Sequence, residues 1–298
     1  MKTKLWIQAA RPRTLPLAIA VMAMGNGVAA IDGVFSWSIA SLSLLTALLL
    51  QIMSNLANDY GDSIHGADNT DRVGPTRAVQ SGLLASEEMK SATMLIGLLA
   101  FVSGLSLLWI AFTSLVSILS FTALGVLAIW AAYNYTAGDR PYGYAGLGDL
   151  SVYCFFGLVA VLGCYVLQTQ EFSWWVLLPA TTCGLLSVGV LNVNNMRDIT
   201  SDHSAGKRSI PVIIGLSAAK VYHILLVVIA WICLLIYTNV KMNHLANWSY
   251  VVLMPLFLRH LYQIWKSDSP QHLDPKLKQL ALSTAGLIIA FLVGFLAV

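Results

Sequence analysis

Long apolar runs separated by short polar breaks account for most of the chain. A helix that crosses a bilayer needs about 20 mostly apolar residues. Runs of that length fall at about 14–32, 38–58, 91–111, 114–134, 147–167, 174–195, 218–238, 246–265 and 279–297. The pattern predicts an all-α integral membrane protein, nine transmembrane helices in a single domain over 1–298. Arg259 and His260 interrupt the eighth run. Trp37, Trp174, Trp175 and Trp248 stand at run ends, as interfacial anchors do.

Two runs end in polar stripes. In Asn55-Leu-Ala-Asn58-Asp59-Tyr60-Gly61-Asp62 the polar residues sit at i, i+3, i+4 and i+7, which is one face of a helix. In Asn192-Val-Asn-Asn195-Met-Arg197-Asp198-Ile-Thr-Ser-Asp202, Asn195, Asp198 and Asp202 repeat that spacing. The stripes close the second and sixth runs, four helices apart, so a parallel internal repeat is expected. Each is followed by a loop with glycine and basic residues: Arg72 to Arg77 in one, Gly206-Lys207-Arg208 in the other.

Composition agrees with the membrane reading. The 298 residues are 57% hydrophobic and 10% charged, against roughly 25% charged in soluble domains. A net charge of +3 is too small to imply nucleic acid. The placement of charge says more. With a cytoplasmic N-terminus, every one of the 17 Lys and Arg except Lys241 falls on the inner side. That asymmetry also supports the eighth span. The acids follow: Asp32 and Glu171 are outside, whereas Asp59, Asp62, Asp149, Asp198 and Asp202 lie at inner ends of spans. Cys154, Cys164, Cys183 and Cys233 all fall inside apolar runs and read as small buried hydrophobes.

Clustered carboxylates at membrane depth repel one another unless a cation neutralises them. Mg²⁺ prefers carboxylate oxygens and commonly shares itself with substrate phosphates. Arg72, Arg77, Arg140, Arg197 and Lys207 could meet the remaining phosphate charge. The sum is a diphosphate site at the inner surface, beside an apolar bundle that holds a lipid tail. A single Asn-Asp helix end would be read as a cap or a solvated terminus. Two matching stripes on parallel helices favour a site. Asn55 lies a turn deeper, where a buried amide needs a partner.

The pattern N-D-x-x-D at Asn58 to Asp62, with R-D-x-x-x-D at Arg197 to Asp202, resembles the UbiA superfamily of intramembrane aromatic prenyltransferases. Ser54 to Asp62, Asp71 to Arg77, Arg140-Pro-Tyr-Gly-Tyr-Ala-Gly-Leu-Gly-Asp149, Leu191 to Asp198 and Arg11-Pro-Arg-Thr-Leu-Pro16 look like its menaquinone-forming branch. The resemblance covers essentially the whole chain. It implies transfer from a polyprenyl diphosphate to 1,4-dihydroxy-2-naphthoate, in the bacterial inner membrane with the site on the cytoplasmic side. It also implies Mg²⁺ on Asp59, Asp62, Asp198 and Asp202. Tyr135 would stabilise charge in the reaction. Asn55, Asn58, Arg72, Arg77, Arg140, Asn195 and Lys207 would bind substrate. Many members carry a third acid in the first motif, where this chain has His65 and Gly66.

Several residues keep two readings. Arg11 and Arg13 could meet a naphthoate carboxylate or be ordinary inner-side charge. Asp149 could cap the fifth span or deprotonate a ring hydroxyl. His65 and His203 could be bases or solvated loop residues. The nearest alternative is another acceptor within the same superfamily, such as 4-hydroxybenzoate or homogentisate. A cation-coupled transporter would place its acids near mid-bilayer on broken helices. A CDP-alcohol phosphotransferase would need Gly where Ser63 follows Asp62.

Overall fold

The structure, a computed structural model, describes residues 2–66, 77–241, 244–267 and 269–296. Helices and turns account for all of the secondary structure in those residues. The elements are α1 (Lys2–Ala9), α2 (Leu15–Ile31), α3 (Trp37–Ile64), α4 (Ser86–Ala111), α5 (Leu115–Asn134), α6 (Gly148–Val152), α7 (Gly163–Thr169), α8 (Leu177–Arg197), α9 (Ile199–Ser204), α10 (Ile210–Lys241), α11 (Met254–Trp265) and α12 (Asp274–Leu296). A π-helical run, Tyr153–Leu162, joins α6 to α7 into one rod.

Among the described residues, eight helical segments are long and apolar enough to cross a membrane. They correspond to eight of the nine expected spans. The remaining stretch, about 246–265, takes a different form: a 3₁₀ run Leu245–Leu253 that continues into α11. It lies against α12, and its buried Tyr250 and Phe257 join the main core. Outward-facing Leu95, Leu98, Val102, Trp109, Leu119 and Trp130 are exposed. An apolar surface of that extent belongs in lipid. The chain is a multi-pass membrane protein.

Packing sets up two groups of helices that meet at the polar stripes. Helix α3 runs along α4, and α8 runs along both α10 and the π-helical run. Close approaches are made by glycines. A Cβ on Gly61 would stand 2.4 Å from the carbonyl oxygen of Thr136, and one on Gly157 would stand 2.7 Å from that of Ala180. Such small residues let helices approach in lipid, where packing rather than hydrophobic burial holds them together.

At the end of the bundle remote from the polar stripes, buried amides tie three spans. The Gln168 side-chain nitrogen donates to Asn26 Oδ1 at 2.7 Å, and Gln168 Oε1 accepts from the Ser36 N–H at 2.7 Å. At the end that carries the stripes, α1 and α2 are separated by Arg11, which has φ 51° and ψ 67°. A left-handed backbone costs a non-glycine residue roughly 1–2 kcal/mol. Asn55 grips this turn from α3. Its Nδ2 donates to Ala10 O at 2.9 Å and to Thr14 Oγ1 at 3.1 Å. The amide of the first stripe therefore has a structural partner. The four cysteines are free thiols.

Candidate active site

The C-terminal ends of α3 and α8 face one another across a polar cavity of about 210 Å³. The two stripes are thus brought to one place. Asp62, Asp149, Asp198 and Asp202 line this cavity, together with Arg11, Arg13, Arg77 and Lys207. Acids and cations are balanced in number, so the site is polarised rather than strongly charged.

Asp62 is the most heavily paired acid. It is 2% exposed. Arg77 Nη1 and the Tyr144 hydroxyl both donate to it, and Lys207 Nζ stands 2.9 Å from its Oδ1. The same ammonium lies 3.7 Å from Asp202 Oδ1 and 4.6 Å from the centre of the Tyr144 ring. Lys207 thus bridges the first stripe to the second. Its loop is fixed by backbone: Lys207 N–H donates to Asp202 O at 2.8 Å, and Arg208 N–H to Tyr144 O at 2.9 Å.

Asp198 is held by its neighbour. Arg197, 1% exposed, donates to both carboxylate oxygens, at 2.9 and 2.6 Å. The same guanidinium reaches Asn194 at 2.9 Å and Asp274 at the start of α12. This network, buried at Arg197 and open at Asp274, ties the end of α8 to α12. Asp202 sits in α9. Burial raises its carboxyl to about 6, with Lys207 opposing and Asp198 and Asp62 adding to the rise.

Other expected residues divide. Asn58 and Asn195 line the cavity. Asn58 Oδ1 accepts from Thr136 Oγ1 at 2.8 Å, while its carbonyl accepts from Arg77 at 2.7 Å. Asp59, 2% exposed, turns away from the cavity. Its oxygens accept the N–H groups of Ala78 and Val79 at 3.2 and 3.4 Å, fixing the turn that follows Arg77. Arg140 is exposed and outside the cavity lining. Arg72 lies outside the described residues. His65 bonds Gly138 O at 3.0 Å, and His203 is exposed.

A second, apolar cavity of about 380 Å³ continues from the first. Gln51, Asn58, Tyr135, Val152, Phe156 and Leu191 line both. The apolar cavity runs between α2, α3, α4, α5 and the π-helical run, past Ala128 to Leu108 and Leu167. Tyr135 therefore stands at the junction. Its ring packs edge-on against Tyr142 at 5.4 Å, and Tyr142 stacks on Trp130. Burial and the Asp149 carboxylate push the Tyr135 hydroxyl above the ordinary tyrosine range, so it stays protonated.

The chain matches the model of the UbiA prenyltransferase family over residues 17–285. The chain belongs to the UbiA prenyltransferase family. A 1,4-dihydroxy-2-naphthoate octaprenyltransferase of Haemophilus influenzae is 41% identical over 99% of this chain and 96% of its own length. Its Escherichia coli counterpart is 40% identical over 98% and 95%. Solved structures share the fold. A UbiA homolog from Aeropyrum pernix K1 superposes with a TM-score of 0.69 at 16% identity, over 96% of this chain and 97% of that one. A UbiA homolog from Archaeoglobus fulgidus, bound to DMAPP and Mg²⁺, gives 0.64 at 16% identity, over 99% and 100%.

The family resemblance made Asp59, Asp62, Asp198 and Asp202 the expected metal ligands. Among the described residues, no three His, Cys, Asp or Glu side chains converge as a ready-made metal site. The donor set still fits Mg²⁺, which binds through one or two carboxylates and completes its shell with water and substrate phosphate. Asp62, Asp198 and Asp202 offer hard oxygens to one cavity. Sequence reasoning missed Tyr144 as a site residue. It lies inside the Arg140–Asp149 motif, and nothing in its spacing pointed at Asp62 rather than at solvent.

Proposed function

We propose that this protein transfers a polyprenyl group from a polyprenyl diphosphate to 1,4-dihydroxy-2-naphthoate, releasing pyrophosphate and CO₂ and giving demethylmenaquinol. One observation carries the reading: a polar cavity holding Asp62, Asp198, Asp202, Arg77 and Lys207 opens through Tyr135 into an apolar cavity. A molecule with a doubly phosphorylated head and a hydrocarbon tail fits that shape and that change of polarity. The acceptor is read from the 40–41% identical relatives.

The diphosphate lies in the polar cavity with Arg77 and Lys207 against its oxygens. These groups offset the charge that grows on the leaving pyrophosphate, which is where fixed charge accelerates a reaction. Asp62, Asp198 and Asp202 would hold Mg²⁺. When bound, the ion supplies further charge neutralisation on the diphosphate. Asp59 acts one step back, by holding the turn that presents Arg77.

The tail lies in the apolar cavity, leaving the allylic carbon beside Tyr135. The ring faces of Tyr135 and Tyr142 favour positive charge there, and the apolar walls keep water from capturing it. The ring carbon bearing the carboxylate attacks the allylic carbon. Arg11 and Arg13, which line the polar cavity, face the acceptor carboxylate. The site lies on the cytoplasmic side of the bacterial inner membrane, a reading that the uneven placement of Lys and Arg supports.

Purified protein given labelled polyprenyl diphosphate and Mg²⁺ should prenylate 1,4-dihydroxy-2-naphthoate with loss of CO₂. 4-Hydroxybenzoate and homogentisate, offered separately, should give little product. Preferential use of either one would overturn the acceptor assignment.

A further inference from the structure

The reaction proposed above leaves one proton without an acceptor. When the carbon bearing the carboxylate forms its new bond, the neighbouring ring hydroxyl becomes the hydroxyl of a protonated ketone and must give up its proton. The step therefore needs a base within reach of that hydroxyl. Of the four carboxylates lining the polar cavity, Asp62, Asp198 and Asp202 each have a cation within 4 Å. Asp149 has none among the described residues. Its one hydrogen-bond partner is the Tyr222 hydroxyl from α10, which donates to Oδ2 at 2.9 Å. Oδ1 has no protein partner among the described residues, and the residue is 9% exposed and lines the cavity.

Its position matches the need. Asp149 follows Gly148, where a Cβ would stand 2.6 Å from the Tyr135 hydroxyl. One helical turn further along, Val152 lines both cavities. Asp149 therefore borders the junction of the two cavities beside Tyr135. It makes no capping bond at the start of α6, so the cap reading of this residue does not account for it.

We propose that Asp149 is the proton shuttle of this reaction, resting on the acceptor assignment above. A ring π pair of the acceptor forms the C–C bond while the allylic C–O bond breaks and its electron pair leaves with pyrophosphate. The hydroxyl adjacent to the attacking carbon becomes a carbonyl, and its proton passes to Asp149. The product of this step is a β-keto carboxylate, which loses CO₂ readily. The electron pair of the broken C–C bond restores the ring and leaves an oxyanion. Asp149 returns its proton to that oxygen, so the shuttle ends as it began and no external acid is consumed. The Tyr222 hydroxyl is the positioning group, holding Oδ2 so that Oδ1 faces the acceptor.

The test separates ionisation of the prenyl donor from coupling. Asp149→Asn should fall about 100-fold or more in prenylated product, the scale of a lost general base. The KM for polyprenyl diphosphate should stay unchanged, and the ratio of polyprenyl alcohol to coupled product should rise. Asp149→Glu should recover part of the coupling. An acceptor whose adjacent hydroxyl is methylated has no proton to give, so wild type and Asp149→Asn should use it at equal, slow rates. Undiminished coupling in Asp149→Asn, or an equal fold-loss with the methylated acceptor, overturns the shuttle. If Asp149→Asn does not fold in detergent, Tyr222→Phe takes its place. A loss of coupling with the hydroxylated acceptor alone supports the shuttle, and no acceptor dependence overturns it. Failure of the wild-type protein to yield decarboxylated product would instead remove the acceptor assignment.

Discussion

At the residue scale, the two aspartates of the first stripe have different tasks. Asp62 faces the cavity under Arg77, Lys207 and Tyr144, whereas Asp59 holds the backbone of Ala78 and Val79. Under the proposed reading, Asp62→Asn and Asp198→Asn should each lower kcat by about 100-fold or more, since each removes a ligand for the ion on the diphosphate. Asp59→Asn should also lose activity, but by another route. Freeing the 77–80 turn displaces Arg77, so faster hydrogen exchange at Ala78 and Val79 should accompany the loss. Unchanged exchange there would contradict the division of labour. Asp202 makes a pH prediction. Its carboxyl, raised to about 6, keeps a proton in the folded protein at pH values where an unfolded carboxyl has lost it. Between the ordinary carboxylate value and about 6 the folded state holds the extra proton, so this group's contribution to stability falls as pH rises through that window. A bound cation must displace the proton. At limiting Mg²⁺, turnover should therefore fall below about pH 6, and saturating Mg²⁺ should move the acidic limb lower. Superimposed limbs at the two concentrations would exclude Asp202 from cation binding.

At the element scale, close contacts between spans set the geometry of the site. Gly61 stands between Asn58 and Asp62 and meets the backbone of Thr136 without a Cβ. Gly61→Ala should force α3 away from the 135–137 turn and cost about 1–3 kcal/mol, as overpacking does. A lowered melting temperature in detergent, with a raised KM for polyprenyl diphosphate, is the expected result. The π-helical run is a second device of this kind. Such segments gather at functional sites, and here Val152 just before the run and Phe156 within it line both cavities. The kink at Gly215, φ 81° and ψ 161°, breaks α10 near its start. It explains why the apolar pattern of that span was legible only from about 218.

At the scale of the whole molecule, the site is an amphipathic channel enclosed by helices from both halves of the chain. The length of the apolar cavity should limit the isoprenoid that fits. Ala128→Phe fills part of its wall, and should shift the product distribution toward shorter prenyl chains while sparing the shortest donors. Chromatography of products from a mixed set of diphosphates would read this directly, and an unshifted distribution would remove the apolar cavity as the tail site. Topology is testable too. Single cysteines placed at Arg140 and at Glu171, in a chain freed of its own four, should differ in labelling by an impermeant reagent. The Glu171 position should react from outside in intact cells.

The apolar runs determined the membrane class and the approximate position of eight spans, and the two matching stripes pointed to the helix ends that meet at the cavity. These are properties of period and composition, and they survive without knowledge of packing. The stretch 246–265 was legible as an apolar run, but its 3₁₀ start was not, because periodicity does not distinguish one helical winding from another over nine residues. Tertiary structure alone decided which polar residues face one another. Asp59 and Asp62 are three residues apart on one helix, and the stripe made them equivalent. The Ala78–Val79 turn claims one and Lys207 claims the other. Asn55 likewise belongs to the stripe by spacing, yet its amide is taken by the Arg11 turn. Tyr144 and Asp149 acquire their importance only because residues 82 positions away and 73 positions away come within hydrogen-bond reach. Contacts at such separation depend on how the helices close around the cavity, and no local pattern encodes them.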